Sequence, residues 1–184
     1  NDEIAWYEND GTENFTKHSL STDMTVATWV KDIDLDMDGD QDVVAGSSDS
    51  VAWFENDGSE SFTFHSVDSI YGSVLGNVVD VEGDGDLDIL SVTVTEVAWF
   101  KNDGNETFTY QKISDVTDSP IYVTSGDIDA DGDLDILSAY IHPYSDTMVS
   151  WFEQIASVPP ADFDGDGDTD ISVYRPSNGR WYIR

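Results

Sequence analysis

The chain contains no cysteine, so no disulfide can staple its fold and no thiolate can act as nucleophile or zinc ligand. Basic residues are also scarce: seven Lys and Arg stand against 39 Asp and Glu, a formal net charge of -32. That balance excludes nucleic acid as a partner, because phosphate backbones are held by Lys and Arg. It equally excludes docking on an anionic membrane surface. No apolar run approaches the ~18 residues that would carry a helix across a bilayer. No signal peptide or initiator Met is present, and Asn1 lies in what reads as the middle of a repeat. The chain is therefore expected to be a mature or excised piece of something longer.

What remains is a folded protein. Hydrophobic residues make up 39%, with six Trp, eight Tyr and eight Phe, whereas disordered acidic tails are poor in aromatics. Self-repulsion among so many carboxylates opposes compaction, so cations are expected to offset it.

Two units repeat along the chain. The first reads Ile4-Ala-Trp-Tyr-Glu-Asn-Asp-Gly11, Val51-Ala-Trp-Phe-Glu-Asn-Asp-Gly58 and Val97-Ala-Trp-Phe-Lys-Asn-Asp-Gly104, with a decayed copy at Val149-Ser-Trp-Phe-Glu153. The intact copies are followed by Phe15-Thr-Lys-His-Ser19, Phe62-Thr-Phe-His-Ser66 and Phe108-Thr-Tyr-Gln-Lys112. The second unit is a nine-residue acidic loop, starting at residues 34, 80, 127 and 162, that is 46, 47 and 35 residues apart. A period near 46 matches a four-stranded β-propeller blade of roughly 40–50 residues. β-prone segments precede the loops at Thr25–Val30, Ser73–Val79 and Ile121–Ser125, and apolar runs follow at Val43–Ala45, Ile89–Val92, Ile136–Ala139 and Ile171–Tyr174. The Trp-Phe and Phe-Thr elements supply two further strands, joined by an Asn-Asp-Gly hairpin turn. The fold class is therefore all-β: antiparallel propeller blades, about four of them. They comprise a trailing pair of strands, two whole blades, a third lacking its outer strand and a final partial blade. Residues 1–158 hold the regular repeats and residues 159–184 the divergent last one.

The acidic loops carry the chemistry. They read Asp34-Leu-Asp-Met-Asp-Gly-Asp-Gln-Asp42, Asp80-Val-Glu-Gly-Asp-Gly-Asp-Leu-Asp88, Asp127-Ile-Asp-Ala-Asp-Gly-Asp-Leu-Asp135 and Asp162-Phe-Asp-Gly-Asp-Gly-Asp-Thr-Asp170. Side chains at positions 1, 3 and 5 of a tight loop converge, Gly at position 6 permits the sharp bend, and position 7 offers a carbonyl. Position 9 returns a carboxylate as the chain enters the next strand. Ca²⁺ takes six to eight such oxygens, so about four calcium ions are expected. The loops lack the bidentate Glu at position 12 that EF-hands use. Glu82 followed by Gly83 sets the second loop apart, and its ion is expected to be the first released to a chelator.

These residues resemble the FG-GAP/VCBS repeat family, whose calcium-loop blades also occur in integrin α-subunit heads. The resemblance implies a β-propeller with one Ca²⁺ in the loop joining the first and second strands of each blade. By that pattern the side-chain ligands are Asp34, Asp36, Asp38 and Asp42, with Asp40 giving its carbonyl. The same roles fall on Asp80, Glu82, Asp84 and Asp88 with Asp86, on Asp127, Asp129, Asp131 and Asp135 with Asp133, and on Asp162, Asp164, Asp166 and Asp170 with Asp168. Family propellers have about seven blades. This chain is therefore expected to be a fragment, a small ring, or a unit whose edges pair with neighbouring copies, as exposed strand edges can.

The other conspicuous side chains read as architecture. Trp6, Trp53, Trp99 and Trp151 share one repeat position and are expected in the packing between blades, while Trp29 and Trp181 are less regular and read as exposed. His18 and His65 are equivalent to Gln111, a pattern that removes them as catalysts, and His142 is an isolated loop residue. No nucleophile motif or phosphate loop is present. Asn14-Phe-Thr16 and Asn105-Glu-Thr107 are glycosylation sequons. The sequence thus points to a non-catalytic, extracellular calcium-binding module for structure, adhesion or assembly, with a carbohydrate-binding propeller as the alternative. Its expected partners are protein, other copies of itself or a glycan.

Overall fold

Among the residues described by the computed structural model (3–115, 119–130, 132–141, 148–152, 172–175 and 180–183) every regular element is a β-strand. Strands β1 (Ile4–Asn9) and β2 (Phe15–Ser21) form a hairpin. Strands β3 (Trp29–Ile33), β4 (Asp42–Gly46), β5 (Val51–Asn56) and β6 (Phe62–Asp68) form an antiparallel four-stranded meander. A second meander repeats it with β7 (Leu75–Val79), β8 (Asp88–Val92), β9 (Glu96–Asn102) and β10 (Phe108–Asp115). Strands β11 (Ser119–Gly126), β12 (Asp135–Ile141) and β13 (Met148–Phe152) make a three-stranded sheet. The chain divides into two units, Asn1–Gln154 and Ile155–Arg184, and the second contains the hairpin of β14 (Ser172–Arg175) and β15 (Arg180–Ile183). The strand count and order are those expected from the repeats.

The Trp-Phe dipeptide explains how sheets stack in the first unit. Successive residues of a strand point to opposite faces, so each copy feeds two cores. On β5, Trp53 enters the core shared with the β7–β10 sheet while Phe54 enters the core shared with the β1–β2 hairpin. On β9, Phe100 packs back into the first of these cores while Trp99 lies against the next, with Leu90, Val97, Val123 and Ile136. Each Trp thus faces the following sheet and each Phe the preceding one. At the two ends of the unit the rule leaves Tyr7, at the Phe position, 58% exposed, and Trp151, at the Trp position, 48% exposed.

Two local expectations are corrected. The segment Thr25–Val30 is not a strand until Trp29, because Val26 adopts a left-handed φ of 50° and the Thr25 carbonyl accepts both the amide and the hydroxyl of Ser48. Trp29 is buried rather than exposed: its ring lies over Gly46 and Gly76, positions where any Cβ would collide with it, and its Nε1 donates to Ser73 Oγ at 2.8 Å. The absence of two side chains thus makes the slot that the indole fills. The side chains of Trp181 and His142 lie outside the described residues.

The Asn-Asp-Gly turns are longer than a two-residue hairpin loop, since Asn9 pairs with Phe15 and Asn56 with Phe62. In the second copy Asn56 Oδ1 accepts the Gly58 amide, and Asp57 Oδ1 accepts Ser59 N and Ser61 N. The first copy repeats this set, and the Asn14 side chain donates to Asp10 Oδ2 at 2.9 Å. Those bonds, led by the one from Asn14, hold the Asp10 carboxyl down at about 2. Gly58 has a φ of 75°, and a Cβ there would lie 2.4 Å from Asp40 Oδ2. Gly58→Ala is therefore expected to destabilise the fold by about 1–2 kcal/mol, read as a lowered urea midpoint with unchanged slope.

Candidate metal centres

Each of the first three acidic loops joins two neighbouring strands, and a buried Asp at position 9 anchors it. Asp42 is fully buried; its Oδ2 accepts the Leu35 amide at 2.9 Å and its Oδ1 the Asn56 amide at 2.8 Å. One carboxylate thereby ties the loop to the far end of β5. Asp88 makes the same pair of bonds to Val81 N (3.0 Å) and Asn102 N (2.8 Å), and Asp135 accepts Ile128 N at 2.9 Å. The position-2 side chains Leu35 and Val81, each 2% exposed, plug the loops into the cores below. Burial raises the carboxyl pKa of Asp42 and Asp88, only partly offset by the amides they accept.

In the first loop one carboxylate oxygen from each of Asp34, Asp36 and Asp42 lies within 4.8 Å of the others. Two ligands of one Ca²⁺, each ~2.3–2.6 Å from it, lie at most ~5 Å apart, so this spacing fits a common ion. Asp34 Oδ1 is buried and accepts no hydrogen bond, while Oδ2 takes the Gly39 amide at 3.1 Å. A buried oxygen without a donor is costly, and a cation beside Asp36 and Asp42 would satisfy it. Asp36 is pushed up, first by burial and then by its carboxylate neighbours. The third loop brings Asp127, Asp129 and Asp135 together within the same limit.

The remaining expected ligands are placed differently. Asp38 Oδ1 accepts the Asp40 amide at 2.9 Å, and Asp40 turns its carboxylate toward Gly58, as Asp86 does toward Gly104. Among the described residues the second loop, Asp80–Asp88, forms no comparable three-carboxylate group. Both oxygens of Asp80 accept backbone amides, from Gly83, Asp84 and Gly85. Lys101 places its ammonium against Glu82 and 3.8 Å from Asp84. Asp131 and the whole fourth loop, Asp162–Asp170, lie outside the described residues. The sequence reading passed over Lys101, although its signal was visible: three copies of the Trp-Phe element carry Glu8, Glu55 and Glu153, and this one alone carries Lys.

Comparison with known proteins places these blades. The FG-GAP-like repeat matches residues 34–91 and 80–138, each match running from the start of one acidic loop into the strand that follows the next. Together they span more than half of the chain. The chain belongs to the FG-GAP-like repeat family. Among solved structures, this FG-GAP chain is similar to an Agrocybe aegerita lectin that specifically recognises non-reducing terminal N-acetylglucosamine, with a TM-score of 0.52 and 18% identity. The match covers 74% of this chain and 43% of the lectin, so the chain spans less than half the length of that protein. At that identity the likeness concerns the fold alone. No curated protein matches the chain.

His18 and His65 lie on the last strands of FG-GAP hairpins, β2 and β6. His18 and His65 stack on Trp6 and Trp53, ring centroids 4.2 and 4.5 Å apart, and meet Glu8 and Glu55 through Nε2. Asn14 and Asn105 are both exposed in their turns, with the Asn14 amide donating to Asp10 Oδ2 at 2.9 Å and the Asn105 amide to the Asp103 carbonyl at 3.3 Å.

Proposed function

We propose that this protein is a non-catalytic, extracellular module whose blades are stiffened by Ca²⁺ in their strand-joining loops, with a structural, adhesive or assembly role. The observation that carries the reading is the first loop: three carboxylates share one centre, and a buried Asp34 oxygen there has no hydrogen-bond donor. In the first loop Asp34, Asp36 and Asp42 would hold the ion, and in the third Asp127, Asp129 and Asp135 would do so. A divalent cation there supplies no reaction chemistry; it cancels repulsion and locks the β3–β4 and β11–β12 connections. Weak sites with a Kd of ~10⁻⁴–10⁻³ M would fill at extracellular calcium levels, which suits an extracellular location. Isothermal titration with CaCl₂ tests the reading: Asp36→Asn is expected to remove one binding event per chain, and a calcium-free chain that binds none would defeat it.

A glycan-binding reading has one observation of its own. A cleft of about 260 Å³ beside the first blade is lined by Trp6, Val43, Asn56 and Phe62 among others, a mainly apolar face of the kind on which a sugar ring stacks. The similarity to an N-acetylglucosamine-recognising lectin lends it support. Trp53 is 1% exposed and cannot serve as a sugar platform. A glycan array including terminal N-acetylglucosamine, repeated with Trp6→Ala, is expected to show signal lost with the indole if this reading holds.

A further inference from the structure

The second acidic loop differs from the first at two positions, the first and the third, Asp80 and Glu82. In the first loop Asp34 Oδ1 is buried with no donor, and Asp34, Asp36 and Asp42 converge. In the second loop Asp80 Oδ1 accepts Gly83 N at 2.8 Å and Asp84 N at 3.1 Å, and Oδ2 accepts Gly85 N at 2.9 Å. Asp88 is engaged by Val81 and Asn102 just as Asp42 is by Leu35 and Asn56, so position 9 does not distinguish the loops. The buried Glu82 carboxylate receives no hydrogen bond from any amide or hydroxyl, and its charged neighbour is the Lys101 ammonium.

Lys101 is in that place through a paired change on β9 and β10. In the preceding blade Glu55 accepts His65 Nε2 at 2.7 Å, and the His stacks on Trp53. In this blade the same register positions hold Lys101 and, opposite Trp99, Gln111. Without a histidine to bind, the position-101 side chain is free to reach the loop, and its sign is reversed. A Glu at this position adds negative charge to the loop, as Glu55 does at Asp36; Lys subtracts it. Glu82 is also one methylene longer than the Asp at this position in the other loops, which lets its carboxylate reach the ammonium.

We propose that Lys101 is a built-in counter-cation: its ammonium takes the role in the Asp80–Asp88 loop that a divalent ion plays in the first and third loops. This rests on the calcium reading of those other loops. The blade at the centre of the first unit is then held in shape without metal, while its neighbours depend on calcium. A chain of this kind keeps a folded middle blade when calcium is withdrawn, and regains its neighbours when calcium returns.

Lys101→Gln, Asp84→Asn and Asp36→Asn, each in the full chain, separate the two ideas. Titration with CaCl₂ up to about 1 mM, the extracellular range, is expected to give the same number of binding events for Asp84→Asn as for the parent chain. Lys101→Gln is expected to gain one event, and the Lys101→Gln/Asp84→Asn double variant to lose it again. In EGTA, Lys101→Gln is expected to melt several degrees lower than the parent, because the loop carboxylates then face one another uncompensated. A parent chain that loses an event with Asp84→Asn, or a Lys101→Gln chain that gains none or melts unchanged in EGTA, overturns the assignment. Loss of an event in Asp36→Asn tests the calcium reading separately, so failure of one is distinguishable from failure of the other.

Discussion

From a starting calcium concentration a hundredfold above Kd, chelation with EGTA is expected to lower the stability of the chain by about 5 kcal/mol at neutral pH. An ion that binds only the folded state adds RT ln(1 + [L]/Kd), ~2.7 kcal/mol per site at a hundredfold excess over Kd, and the first and third loops each present a converged carboxylate group. A loss of that size rivals the ~5–15 kcal/mol by which domains are stable at all. The pH dependence should then change sign with the metal. Without calcium, Asp36, Asp42 and Asp88 carry folded-state pKa values raised chiefly by burial. A raised carboxyl contributes stability that is present below its unfolded value, ~3.9, and lost as pH rises through the folded value. The metal-free chain should therefore melt higher as pH falls from 7 toward 4. With calcium, the same protonation competes with the ion and the melting temperature should fall. Asp10 and Asp57 work the other way, but their lowered values place their loss below pH 4. Differential scanning calorimetry across pH, with calcium and with EGTA, would show whether the two curves slope in opposite directions. Parallel curves would contradict the electrostatic account of the loops.

The blades were legible in the sequence because the fold repeats. An aromatic pair led by Trp6, Trp53, Trp99 and Trp151, at spacings of 47, 46 and 52 residues, a loop with Gly39, Gly85 and Gly132 in the left-handed region, and alternation that sends Trp53 and Phe54 to opposite cores are all local signals. What escaped was non-local. The burial of Trp29 depends on Gly46 and Gly76, 17 and 47 residues further on, and neither glycine announces that it leaves room for an indole. The break at Val26 comes from the grip of Ser48 on Thr25, which no propensity encodes.

The site was legible in part for the same reason. Spacing identified which carboxylates share a loop, but not how their oxygens divide between amides, partners and a common centre. Asp34 and Asp80 are the same residue at the same position. One keeps a buried oxygen free of donors and the other surrenders both oxygens to the backbone, because Gly83 brings its amide to Asp80 Oδ1. The charge that reaches the second loop comes from β9, 17 residues beyond Asp84, so it could be found only by asking why one copy of the repeat breaks from Glu to Lys.

The position-9 carboxylates show how a residue read as a ligand can matter more as a brace. Asp42→Ala is expected to destabilise the chain by about 2–4 kcal/mol, because the buried Leu35 amide and the half-buried Asn56 amide lose their acceptor and a fully buried loss costs ~1–3 kcal/mol. Leu35 N and Asn56 N lie at 2.9 and 2.8 Å from the two oxygens, and Leu35 is 2% exposed, so at Leu35 N water cannot replace the carboxylate without opening the core. Removing a buried charge returns some free energy, since burial penalises the ionised form of Asp42, but this offsets only part of the loss. Asp42→Asn separates the contributions: its amide oxygen can still accept one of the two N–H groups, while its NH₂ faces the other as donor against donor. Its loss should therefore lie close to that of Ala despite the nearly identical volume. The decisive condition is EGTA. A residue that served only as a metal ligand would cost nothing to replace once the metal is gone, and would even relieve repulsion. A brace between loop and strand must cost stability with or without calcium. Urea unfolding of the parent chain, Asp42→Ala and Asp36→Asn in EGTA should therefore diverge, with Asp42→Ala falling below the parent and Asp36→Asn matching or exceeding it.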